Sequence, residues 1–70
     1  MSIQLFRVEV YGQHTVSLEL STKAVIRAKA GDEAFELIVV GKVEAAYNQQ
    51  FGTNVELNWS DLSRLRLDIP

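Results

Sequence analysis

Cysteine is absent from this 70-residue chain, and histidine occurs once, at His14. Without thiols the chain can form neither disulfides nor thiolate metal sites. A zinc site with one imidazole would need carboxylates for most of its ligands, which is uncommon. We therefore predict no metal and no cofactor, and we expect stability to come from a good core or from oligomerisation.

Catalytic groups are equally scarce. Nucleophilic catalysis needs a base within reach of the nucleophile, and His14 is the one imidazole available. The acids Asp32, Glu33 and Glu36 cluster, but a helix start or a hairpin turn favours acids there anyway. Gly41-Lys42 lacks the second glycine and the hydroxyl residue of a phosphate-binding loop. The sequence therefore predicts a protein that is not an enzyme and has no catalytic residue.

Long hydrophobic runs are also missing, since none approaches the roughly 20 residues of a membrane span. The first residues lack the basic and apolar regions of a secretory signal. Hydrophobic residues make up 47% and charged residues 23% of the chain, which is typical of globular proteins. The net charge of −2 argues against general affinity for nucleic acid or anionic membranes. We predict a single domain over residues 1–70, located in the cytoplasm.

A side-chain period of two, typical of half-buried strands, is present in the first half of the chain. Residues 3–11, 14–21 and 23–30 each place apolar side chains on one face and polar ones on the other. These stretches predict an antiparallel meander with one solvated face. Whether 14–30 is two strands or one long bent strand stays open.

Residues 31–52 have two interpretations. In the first, a helix spans 32–51, with Asp32 as its N-cap and Gly52 just past its end. In the second, a hairpin turn at 31–32 leads into a strand over 34–40 and a short helix over 42–51. The β-branched residues at 38–40 favour the strand, whereas the caps and the Ala/Glu-rich flanks favour the long helix, which we prefer.

Alternation returns in residues 55–59 and 65–69, which predict the last two strands, with a turn or a single helical turn over 60–63. Trp59 lies on the apolar face of its strand, and we expect it in the core. The predicted fold class is α+β: an antiparallel β-sheet of four to five strands packed on one face by a single α-helix, in the order β-β-(β)-α-β-β.

Basic side chains collect on the open face of this predicted sheet. Such a face suits an acidic partner or nucleic acid, although a solvated face with cross-strand ion pairs is the more ordinary explanation. Nucleic-acid binders built on open sheets usually add several aromatic stacking residues, and Tyr11 alone is placed for that role. The predicted partner-binding residues of the sheet face are Arg7, Lys23, Arg27, Lys29, Arg64, Arg66 and Tyr11.

A helix over 32–51 would be apolar on two opposite sides. One sheet covers only one of them, so a partner or a second copy of the chain must cover the other. Leu37, Ile38, Gly41 and Ala45 gather on one side. We predict a partner-binding or homodimer face on the other side, formed by Val39, Val40, Val43 and Tyr47.

The predicted function follows from these surfaces. We expect a non-enzymatic protein-binding module, an adaptor or a steric inhibitor of a larger complex. Very short α+β chains without catalytic groups are common among inhibitors encoded by phages and mobile elements, anti-CRISPR proteins included, and size alone suggests that origin. The predicted partner is another protein or a second copy of the chain in a homodimer, with no membrane involved. The alternative is a nucleic-acid-binding module that uses the basic sheet face.

Overall fold

A computed structural model describes residues 2–68 of the chain. Over that range three strands form one antiparallel sheet in the order β2-β1-β3, and two α-helices pack on one face of it. The elements are β1 Ile3–Val10, β2 His14–Ser21, α1 Thr22–Lys29, α2 Glu33–Phe51, a short 3₁₀ helix Trp59–Asp61, and β3 Leu62–Leu67. The class is α+β, as predicted.

The first two strands form the predicted hairpin. Val8 lies opposite Val16 and Val10 opposite His14, and inward side chains alternate with exposed ones along both strands. The turn between them needs left-handed backbone at two positions, with φ of 58° at Tyr11 and 70° at Gly12. Tyr11 therefore belongs to the turn, one residue beyond the end of the strand.

Residues 23–29 are helical and Ala30 is the C-cap, so the predicted third strand is wrong. The Ser21 hydroxyl oxygen accepts a hydrogen bond from the Ala24 N–H at 3.4 Å and caps the new helix. Ala24, Val25 and Ala28 are buried together, which is the spacing of one helical face. Lysine, alanine and arginine are good helix formers, whereas alanine is depleted in strands.

The long helix that we preferred is confirmed as α2. One carboxylate oxygen of Asp32 accepts a hydrogen bond from the Ala34 N–H at 3.1 Å, and Gly52 ends the helix with φ 64°. Both ends thus use the residues that the sequence indicated, because capping depends on chemistry within a few residues of the helix end.

The second half of the sheet is smaller than predicted. Residues 53–58 have no regular secondary structure and pair with no strand of residues 2–68. Strand β3, Leu62–Leu67, lies beside β1 with Leu65 opposite Val8. Residue Ile69 of the predicted last strand lies outside the described residues. The prediction of four to five strands and one helix is therefore wrong, since residues 2–68 form three strands and two α-helices.

The buried side chains form a single apolar cluster between the sheet and the helices, and within residues 2–68 no polar or charged residue is buried in it. Its central strand contributes Phe6, Val8 and Val10, and α2 contributes Val39 and Val43, each at most 3% exposed. The opposite face of the sheet has no layer over it in residues 2–68.

Candidate interaction surface

The predicted basic sheet face does not form, because three of its six basic residues lie on α1 and not on the sheet. Lys23, Arg27 and Lys29 are exposed on α1, which packs on the other side of the sheet. Only Arg7, on β1, and two arginines of β3 remain on the open face, and Tyr11 sits at the hairpin turn. The β3 residues of the predicted set are Arg64 and Arg66.

Charges on the open sheet face are balanced. Its three arginines share that face with Glu9, Glu19 and Asp68, as the strand register shows. Arg7 makes a 2.7 Å ion pair with Asp68, and the Arg64 guanidinium lies 3.8 Å from the Glu9 carboxylate. A face with as many acids as bases, partly paired with each other, has little electrostatic attraction for nucleic acid.

The predicted partner face of α2 is buried by this chain itself. Val39 and Val43 are 0% exposed, and Val40 and Tyr47 at most 7%. All four residues belong to the buried cluster of this chain, so on this side of the helix the chain itself fills the place that we expected a partner to fill. Local sequence cannot distinguish the two sides, because the position of the sheet decides which one is covered.

The opposite side of α2 carries an exposed apolar strip, which we call the helical stripe: Ala34, Leu37, Ile38, Gly41 and Ala45. Leu37 is 75% exposed and Ile38 48% exposed, although both are large aliphatic residues. Gly41 sits between them and Ala45, and a Cβ added there would have no neighbour within 4 Å. Nothing in the described chain therefore accounts for a glycine in the middle of this helix.

A cleft adjoins the helical stripe on one flank, with a volume of about 230 Å³. Leu37 and Val40 form one wall, and Leu57 and Trp59 form the other. Trp59 packs partly on the core but stays half-buried, so it is neither the purely internal residue that we expected nor a free platform. We call this the tryptophan cleft; its remaining lining residues are Glu33, Glu36 and Asn58.

Side chains of α2 hold the second wall of the cleft in place. The Leu57 N–H donates to the Glu44 carboxylate at 2.9 Å. Asn48 makes two hydrogen bonds with the Val55 backbone, donating to its carbonyl at 3.0 Å and accepting from its N–H at 2.9 Å. In a strand, the backbone groups of Val55 and Leu57 would bond to a neighbouring strand. Here the side chains of Asn48 and Glu44 bond to them instead, so these groups do not lack partners. The periodicity of residues 55–59 could not reveal them.

Aromatic rings cluster at the hairpin end of the molecule. His14 lies 4.8 Å from Phe51 and 5.8 Å from Tyr47 between ring centroids, and Tyr11 meets Tyr47 edge-on at 6.1 Å. Desolvation, followed by the nearby Asp61 carboxylate, raises the pKa of the Tyr11 phenol above its usual 10.0. In this setting His14 packs as an aromatic ring at the end of its strand.

Metal-binding clusters and membrane-spanning helices are both absent from residues 2–68. No group of three or more histidine, cysteine or acidic side chains lies together there as a metal site would require. The helices in this part of the chain are all too short or too polar to cross a membrane. The cytoplasmic location stays a prediction.

Comparison with known proteins gives no match: no family model, no curated protein and no solved structure matches the chain.

Proposed function

We propose that this protein is a protein-binding module, and that its contact surface is the helical stripe together with the tryptophan cleft. The observation that supports this most is the exposure of Leu37 and Ile38 beside each other on a regular helix. Burial of apolar surface stabilises a protein or a complex by about 25 cal/mol per Å², and exposed apolar residues do not contribute this free energy. A contiguous apolar strip next to a cleft is typical of a surface that another protein covers.

The proposed role is that of an adaptor or a steric inhibitor, which acts by occupying a partner rather than by chemistry. The residues of the stripe at positions 34, 41 and 45 have small or no side chains, so a helix can approach it closely at those positions. The cleft adds a recess in which one aliphatic or aromatic side chain of the partner fits beside Trp59.

The experiment is an affinity capture with matched surface variants. Tagged wild-type protein is compared with L37S/I38S and with I3S/L5S, which removes one leucine and one isoleucine of similar exposure from the open sheet face. We expect a stoichiometric protein partner in a lysate of the source organism that survives nuclease, is lost with L37S/I38S and is kept with I3S/L5S.

Two outcomes would contradict the proposal. A partner that binds L37S/I38S as well as wild type would show that another surface is used. Capture that disappears on nuclease treatment, and that falls steeply with salt, would identify nucleic acid as the ligand instead.

A further inference from the structure

The outer side of α1 is the most basic surface of the helical layer. Lys23, Arg27 and Lys29 are exposed there, and they surround Ile26, which is 62% exposed. An aliphatic side chain ringed by three cations has the chemistry that suits a recess with an apolar floor and acidic rim. The tryptophan cleft is such a recess, because Glu33 and Glu36 line it together with apolar residues.

These two surfaces lie on opposite flanks of α2. Leu37, Val40 and Glu44 follow one another on the flank that faces residues 55–59, as the cleft lining and the Glu44–Leu57 hydrogen bond show. The helical period puts Phe35 and Ala46, which are half-buried, on the other flank. Since α1 packs against α2, it covers this second flank. The helical stripe therefore runs between a basic helix and an acidic cleft.

We infer that the occupant of this face is a second copy of the same chain. In that dimer α2 packs on its counterpart along the helical stripe, and Ile26 of each copy enters the tryptophan cleft of the other. This inference rests on the proposed function and names its partner. A two-fold axis that runs along the stripe exchanges the two flanks, so each basic α1 lies over an acidic cleft rim, and the contact closes after two copies.

Gly41 gives independent support for a helix on the stripe. Glycine in a helix interior is less stable than alanine, and here no intramolecular contact requires it. The approach of a second helix gives a reason for it, because the distance between packed helices depends on the side chains at the crossing point. Ala34 and Ala45 extend the small-residue line on either side.

The face is also large enough for a stable pair. The molecule measures 30 × 29 × 19 Å, and a two-layer structure has its thin dimension across the layers. A stable interface buries roughly 800 Å² of accessible surface on each partner, which is about a sixth of the 4671 Å² that this molecule exposes.

The test is a charge exchange between two variants of the full chain. E33K/E36K makes the cleft rim basic, and R27E/K29E makes α1 acidic, so each variant alone brings like charges together in both contacts. Mixed in equal amounts, they form a heterodimer in which both contacts are again between opposite charges. Native mass spectrometry measures wild type, the two variants and their mixture, and circular dichroism checks their folding. The control is R7E/R64E, which makes the same charge change as R27E/K29E but on the open sheet face; Arg66 is left unchanged because it lines a recess with Ile26 and Lys29.

We expect wild type and R7E/R64E to have masses near twice the 7.9 kDa of one chain. Each of the other two variants should be at least tenfold weaker in self-association, and their mixture should recover a heterodimer. Where a charge variant fails to fold, I26S replaces it and should weaken the dimer in the same way. A wild-type chain that stays monomeric at millimolar concentration, or a mixture that stays monomeric, would overturn the inference. A monomer that still captures a foreign protein through Leu37 and Ile38 would contradict only the inference that the partner is a second copy. The proposed function would then still hold.

Discussion

The Glu44 carboxylate accepts a hydrogen bond from the Leu57 backbone N–H at 2.9 Å, across thirteen positions of the chain. Glu44 lies two turns after Leu37 on α2, and Leu57 is a buried residue of the segment 53–58 that faces it. The bond therefore fixes the distance between the two walls of the tryptophan cleft, so the shape of the proposed contact surface depends on it.

Replacing Glu44 by alanine should lower the free energy of unfolding by about 1–2 kcal/mol, because a hydrogen bond to a charged group is lost and the Leu57 N–H is left without its partner. E44Q keeps an acceptor oxygen and should cost less. Urea denaturation measures both, with E19A on the open sheet face as the control. Equal stability of E44A and E19A would show that the bond contributes nothing.

Asn48 should be the more sensitive of the two anchors. Besides its two bonds with Val55, its amide oxygen accepts from the Thr53 hydroxyl at 2.8 Å. We expect N48A to lower the free energy of unfolding by roughly 2–3 kcal/mol, since two partly buried backbone groups lose their partner. The neighbouring exposed substitution Q49A should change it by under about 0.5 kcal/mol. A loss with N48A no larger than with Q49A would contradict the anchoring role.

Two glycines should respond to alanine in opposite directions. G41A should raise the free energy of unfolding of the monomer by about 0.5–1 kcal/mol, because the backbone is helical and the added methyl meets nothing. G52A should lower it by about 1 kcal/mol, because its φ of 64° strains a residue with a side chain. Thermal unfolding at low protein concentration measures both. A destabilising G41A under those conditions would show that the stripe is not open.

The phenol of Tyr11 should deprotonate above pH 10.0, since desolvation and then the Asp61 carboxylate disfavour the phenolate and raise its pKa. The folded state then holds this proton more tightly than the unfolded state, so the associated stability is present below the unfolded pKa and is lost as the pH rises through the folded value. The chain has two tyrosines, so the near-ultraviolet titration of wild type minus that of Y11F isolates Tyr11.

Asp61 supplies the control for that titration. D61N removes the charge but keeps an acceptor for the Asn58 N–H, which now donates to Asp61 at 2.9 Å. The pKa of Tyr11 should move back toward 10.0 in this variant. A pKa that does not move would show that Asp61 contributes nothing and would leave desolvation and the neighbouring Tyr47 as the causes.

Much of the fold was predictable because its signals are local. The hairpin depends on alternating side chains around a turn at Gly12, and α2 depends on a cap at Asp32 and a stop at Gly52. Each of these acts over a few residues. The two-sided apolar character of α2 was also visible, and with it the expectation of an uncovered side.

Local patterns failed where two periods fit the same residues. Residues 22–29 fit the side-chain period of a strand as well as that of a helix, because the segment is only eight residues long. The hydrogen bond from Ser21 and the burial of Ala24 and Ala28 stabilise the helix. Residues 55–59 alternate as a strand does, yet Glu44 and Asn48 satisfy their backbone in place of a neighbouring strand.

The sequence by itself favoured a helix with two apolar sides over 32–51, and it determined that the chain has no cysteine for a thiolate metal site. Only the tertiary structure decided that the sheet covers Val39 and Val43 and leaves Leu37 and Ile38 in solvent. The tertiary structure also decided that Arg27 and Lys29 lie on a helix and not on the sheet. The physical reason is that periodicity records which residues share a side, whereas the side that is buried depends on elements distant in the chain.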